Sequence, residues 1–97
     1  MLTDQGLFET PNASKYLQQL CKHFAHKVAV EHDGNRGTIA LGMGPATLRA
    51  TENTLTAEVT APDAADLAEA RDIIDRHLIR FAFREEFEAM DWQSNAA

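Results

Sequence analysis

His23 and His26 stand three residues apart, and His77 precedes Arg80 and Arg84 at spacings that suit one side of a helix. Imidazoles suit zinc, iron, copper or nickel, and a pair of guanidinium groups suits a carboxylate or a phosphate. On a helix, H-x-x-H sets its two rings about 60° apart around the axis, so both reach toward one ligand. His23 borders an apolar stripe beside Tyr16 and Leu20, and His77 borders another between Ile74 and Arg80. If the two helices pack side by side, His23 and His77 face each other across a seam flanked by Arg80 and Arg84. The candidate ligand-binding set is therefore His23, His77, Arg80 and Arg84, for a small anion or a metal-bearing ligand. The weaker metal set is His23, His26 and His77. The protease pattern would add a glutamate that is missing here. The same positions also suit boundary histidines hydrogen-bonded to nearby backbone or carboxylates, and no catalytic residue is assigned.

Other reactive residue types read differently. Cys21 sits at the edge of the first stripe, next to Leu17 and Phe24, where a small apolar filler is the usual role. Lys22 points about 100° away from it and does not activate it. Glu31 follows the histidine pair, but strand parity turns it to the opposite side of a sheet, where a cross-strand partner such as Arg49 is expected. Gly42-Met43-Gly44 precedes a strand rather than a helix N-terminus, so it reads as a bulge or wide turn and not as a phosphate cradle. No Ser-His-Asp order, nucleophile elbow, C-x-x-C pair or cofactor motif is present. An enzyme working through histidine acid–base chemistry ranks behind a binding module and behind an interaction module.

The elements that must position these residues are well marked. Leu7–Thr10 reads as a short strand. Thr10 and Pro11 suit the N-cap and first position of a helix running to about Lys27, whose apolar stripe is Ala13, Tyr16, Leu17, Leu20, Cys21 and Phe24. Val28, Val30 and His32 alternate with Ala29 and Glu31, and Asp33-Gly34-Asn35 is a hairpin turn. Strands through Thr38–Leu41, Ala46–Ala50 and Leu55–Ala61 follow, with a turn at Glu52-Asn53. Asp63 caps a second helix, with Leu67, Ala70, Ile74, Leu78 and Phe81 on one face, to about Glu86. Phe87, Met90 and Trp92 cover an edge of the core. The order β-α-β-β-β-β-α predicts an α+β two-layer sandwich: a mostly antiparallel sheet with two helices on one face. The open face would carry Glu31, Thr38, Ala40, Thr47, Arg49, Thr56, Glu58 and Thr60, a surface suited to pairing as a homodimer. One domain is expected over residues 1–97, with an ordered core over about 5–92 and fraying over 93–97.

Composition narrows the partners. Nine Lys and Arg face fifteen Asp and Glu, a net charge of −6, whereas nucleic-acid binding needs a concentrated basic surface. A local anion site survives this argument; a polyanion track does not. A single cysteine allows no internal disulfide and suits a reducing compartment. The start has no basic n-region followed by an apolar run, and no apolar stretch approaches about 20 residues. A cytoplasmic protein away from membranes is expected.

Three stretches carry a family resemblance: Lys15 to Lys27 (KYLQQLCKHFAHK), Val30-Glu31-His32-Asp33 leading into Gly37, and His77 to Glu85 (HLIRFAFRE). Together they resemble the bacterial family known as domain of unknown function 2218, over about Phe8 to Trp92. The resemblance implies a TATA-binding-protein-like sandwich and an association with siderophore and iron-uptake genes. It implies no activity and no role for any residue.

Overall fold

The computed structural model describes residues 1–94. The elements are β1 (Leu2–Glu9), α1 (Ala13–Phe24), β2 (Val30–His32), β3 (Arg36–Leu41), β4 (Gly44–Ala50), β5 (Thr54–Ala61), α2 (Ala64–Phe81), a 3-10 turn (Phe83–Glu85) and β6 (Asp91–Ser94). The strands form one antiparallel sheet in the order β2-β3-β4-β5-β1-β6. Hairpins build β2 through β5 in sequence. β1 then closes on β5 from the other side, and β6 pairs with β1 at the far edge. The α+β sandwich with both helices on one sheet face is the architecture that the periodicity predicts.

Alternation along each strand decides which face the helices cover. Leu55, Ala57, Val59 and Ala61 of β5 are fully buried, as are Ala46 and Leu48 of β4 and Ile39 of β3. Leu17, Leu20 and Cys21 from α1, with Ala70, Ile74 and Leu78 from α2, close the other side of the core. Each large aliphatic side chain so buried contributes about 1.5–3 kcal/mol. Burial therefore fixes strand register, since a slip of one residue would turn the whole apolar set to water. At Gly37 a Cβ would lie 2.5 Å from the Cys21 sulfur, so α1 can approach β3 only over a glycine.

Several boundaries differ from expectation. β1 starts at Leu2, because Asp4 and Gly6 continue its inward parity; Asp4 is buried and meets the Arg71 guanidinium at 3.3 Å. α1 begins at Ala13 rather than Pro11. The Thr10 hydroxyl accepts from the Asn12 amide at 3.1 Å, just outside the helix. α1 ends at Phe24, and tight turns, including Lys27 N–H to Phe24 O at 2.9 Å, carry the chain to Val28. Gly42-Met43 is a two-residue turn with Leu41 paired to Gly44, not a bulge. Gly44 has φ +154° and lies where a Cβ would be 2.6 Å from the Thr60 carbonyl oxygen. α2 keeps the Asp63 cap, whose carboxylate accepts from Asp66 N–H at 2.8 Å. It stops at Phe81, before the 3-10 turn and a left-handed Glu86 at φ 57°.

The sixth strand was not expected. Trp92 pairs with Gly6 and lays its ring where a Gly6 Cβ would be, 2.9 Å away. The Asp75 carboxylate accepts from the Trp92 indole N–H at 2.8 Å and from the Met90 amide at 3.0 Å. Gln93 and Ser94 thereby join β6, opposite Gln5 and Asp4. The remainder of the expected frayed end, 95–97, lies outside the described residues. No helix among the described residues is long and apolar enough to cross a membrane.

Candidate functional site

α1 and α2 lie side by side on the sheet, and their facing edges bring His23 and His77 together. The ring centroids are 4.8 Å apart, and Phe24 lies 4.8 Å from the His77 ring. The His77 Nδ1 is 2.6 Å from the Ile73 carbonyl oxygen. A carbonyl only accepts, so this nitrogen carries the hydrogen. The His23 Nε2 is buried and has no hydrogen-bond partner among the described residues. Burial, followed by the positive potential of His77, Lys27, Arg80 and His26, holds the His23 imidazole below its ordinary value.

His26 does not join this pair. It is exposed in the turn after α1, so the H-x-x-H spacing does not act through a continuous helix. Among the described residues no three His, Cys, Asp or Glu side chains are grouped to hold a metal ion. Cys21 is fully buried and its thiol is pushed up by burial. Glu31 faces Thr38, whereas Arg49 stands between Arg36 and Thr56, so the expected Glu31–Arg49 proximity is absent.

Arg80 and Arg84 open onto a cleft next to the histidine pair. It has a volume of about 400 Å³ and is bounded by Lys15 and Gln19 of α1, Arg80 and Phe81 of α2, and Phe83 and Arg84 of the 3-10 turn. Ion pairs among the described residues join Arg71 to Asp4 and Arg76 to Glu69 and Asp72. None involves Lys15, Arg80 or Arg84, which are exposed. The Phe83 ring is 62% exposed, and the Arg84 guanidinium sits 5.8 Å from its centroid. The Gln19 side-chain oxygen is buried without a hydrogen-bond partner among the described residues.

The cleft's floor is a polar network that the helical periodicity does not announce. The Glu85 carboxylate accepts from the Thr10 hydroxyl at 2.7 Å, from Asn12 Nδ2 at 3.3 Å, and from the Tyr16 hydroxyl in a short contact. Burial pushes Glu85 up, but the bonds from Tyr16, Thr10 and Asn12, with Lys15 nearby, together hold it below the usual carboxylate range. Tyr16 moves the other way: burial and then Glu85 push its hydroxyl up to about 12. The network ties the 3-10 turn to α1 and the end of β1, and so fixes where Arg84 and Phe83 project. The one sequence signal for it is Tyr16 itself, whose hydroxyl needs a partner when its ring lies in an apolar stripe.

The family model described as "Uncharacterized protein conserved in bacteria (DUF2218)" matches residues 5–93. The chain belongs to this family. It is also similar to PA4090 from Pseudomonas aeruginosa, whose structure was determined by NMR. That likeness has a TM-score of 0.82 and 31% identity, and covers 100% of both chains. No curated protein matches the sequence.

Proposed function

We propose that this protein is a small binding module that takes an organic anion in the cleft between α1 and the end of α2. The observation that carries the reading is the set of three cations, Lys15, Arg80 and Arg84, around one cleft with no carboxylate partner among the described residues. In a chain of net charge −6, unpaired cations gathered beside an exposed aromatic ring make a local anion site against an acidic background. Arginine binds carboxylates and phosphates in a planar, two-point fashion. Phe83 and Phe81 offer apolar surface to the rest of the ligand. Glu85 also lines the cleft, but its carboxylate is engaged by Thr10, Asn12 and Tyr16 and anchors the wall, which leaves ligand contact to the cations.

Thermal denaturation with small di- and tricarboxylates, aromatic carboxylates and organic phosphates tests this at matched ionic strength. A ligand at 100 times its Kd stabilises the folded state by about 2.7 kcal/mol. The Arg80→Gln/Arg84→Gln variant should lose that gain while keeping its fold. If no anion stabilises the protein beyond an equal ionic strength of sodium chloride, the reading fails.

Two observations favour a second reading, a transition metal held by His23 and His77. His23 has a buried Nε2 without a partner, and the Ile73 carbonyl fixes the His77 tautomer in the manner of a metal ligand's outer partner. The remaining coordination positions would be filled by the anion itself. Titration of the metal-free protein with zinc, nickel or copper, followed by imidazole NMR, tests it. Unchanged ring resonances in the presence of metal would end it.

A further inference from the structure

The sheet face away from the helices holds a second arrangement of charge. Register places Arg36 of β3 directly opposite Arg49 of β4, and both are exposed on the open face. Like charges directly opposite each other in a sheet are destabilising. Hairpin geometry fixes this pair: the Asp33 carboxylate is used on the Asn35 and Arg36 amides at 3.1 and 3.0 Å, and the ladder continues through Ala50 N–H to Asn35 O at 2.8 Å. No ion pair among the described residues relieves either guanidinium.

The two arginines share a depression of about 200 Å³ with Gln5, Thr47, Thr56 and Glu58. Thr56 is opposite Arg49 on the next strand, and Glu58 is opposite both Thr47 and Gln5. Glu58 is thus a diagonal neighbour of Arg49, roughly 7–8 Å away in such a register, and the two do not close an ion pair. The depression has two cations on one wall, one anion on the other and two threonine hydroxyls between them. Its charges are separated and left open.

We propose that this depression binds a small zwitterion, with a carboxylate or phosphate on Arg36 and Arg49 and an ammonium group on Glu58. The two guanidinium groups present parallel N–H donors to the oxyanion, and Thr47 and Thr56 add hydroxyl donors. Glu58 discriminates against plain anions, because an oxyanion lacking a cationic partner must sit near its carboxylate. The site lies on the sheet face opposite the cleft assigned above and stands independently of it.

The experiment is an NMR titration of the nitrogen-15-labelled protein at fixed ionic strength. β-Alanine and phosphoethanolamine are the zwitterions, and acetate and inorganic phosphate are the matched plain anions. Saturable shifts centred on Arg36, Thr47, Arg49, Thr56 and Glu58 are expected with a zwitterion, and the two zwitterions separate a carboxylate preference from a phosphate preference. Arg36→Gln/Arg49→Gln should weaken binding at least about tenfold, the equivalent of one charge-assisted hydrogen bond. Glu58→Gln should erase the preference for the zwitterion over its plain counterpart. In ligand-free buffer Arg36→Gln should unfold at a slightly higher temperature than the parent, since it removes a like-charge pair. The proposal is overturned by any of three results: no saturable shift at these residues, shifts that survive in the double variant, or equal affinity for acetate and β-alanine and for phosphate and phosphoethanolamine.

Discussion

Replacing Tyr16 with Phe and Glu85 with Gln, singly and together, tests the floor on which the cleft stands. Tyr16 donates to a carboxylate that also accepts from Thr10 and Asn12. A hydrogen bond to a charged group is worth about 1.5–3 kcal/mol. Glu85 is half-buried, so water recovers part of the loss, and Tyr16→Phe should cost about 1.5 kcal/mol. At about 4–8 °C per kcal/mol for a domain of this size, that lowers Tm by about 6–12 °C. Glu85→Gln removes the charge from all three bonds and should cost about 2–3 kcal/mol. Because the residues share a bond, the double variant should fall short of the sum by about 1 kcal/mol. Urea denaturation of the four proteins measures this. The pH dependence adds an independent check. The folded Glu85 carboxyl lies below its unfolded value, so between the two values the unfolded chain binds more protons and stability rises with pH. The contribution is full above the unfolded value, about pH 4.3, and is lost as pH falls through the folded one. The gap between parent and Glu85→Gln should therefore narrow below about pH 4.3. A coupling energy of zero, with a gap unchanged from pH 3 to 7, would refute the network.

Three further outcomes follow from other parts of the fold. His23 is held below its ordinary value, so stability should fall as pH drops from about 6.5 through the lower folded value; His23→Phe should flatten that stretch of the pH–stability curve. Gly37→Ala should cost about 1–3 kcal/mol by overpacking against the Cys21 sulfur, and Cys21→Ala in the same chain should recover much of it in denaturant melts. Asp75→Ala removes the acceptor of the Trp92 indole and the Met90 amide. It should cost about 2–3 kcal/mol and shift the fluorescence of Trp92, the one tryptophan in the chain, to the red as β6 loosens.

What the sequence determined by itself was the set of local periods and the signals that end them. The alternation of Leu55, Ala57, Val59 and Ala61 allows one buried face, because side chains on a strand point to alternate sides. The stripe from Ala13 to Phe24 allows one buried edge on α1. Asp63 caps α2 because its short carboxylate reaches a free amide in the first turn. The His23–His77 seam was also legible, since two stripes packed on one face leave their border residues facing each other.

Tertiary structure decided whatever depends on residues distant in the chain. α2 ends at Phe81, and Glu85 then reaches Tyr16 and Thr10, 69 and 75 positions away. No local period encodes such a bond, because its partners meet only after the helices have packed. The same holds for β6, where the sequence places Trp92 over an edge of the core but shows no strand alternation. It becomes a strand because Trp92 fits over Gly6 and finds Asp75 on the neighbouring helix. Arg36 and Arg49 are unremarkable in sequence, and only the β3–β4 register sets them side by side. The candidate cleft lies at that same level: Arg80 and Arg84 are candidates from sequence alone, but the 3-10 turn that Glu85 holds in place is what brings Arg84, with Phe83, to its rim.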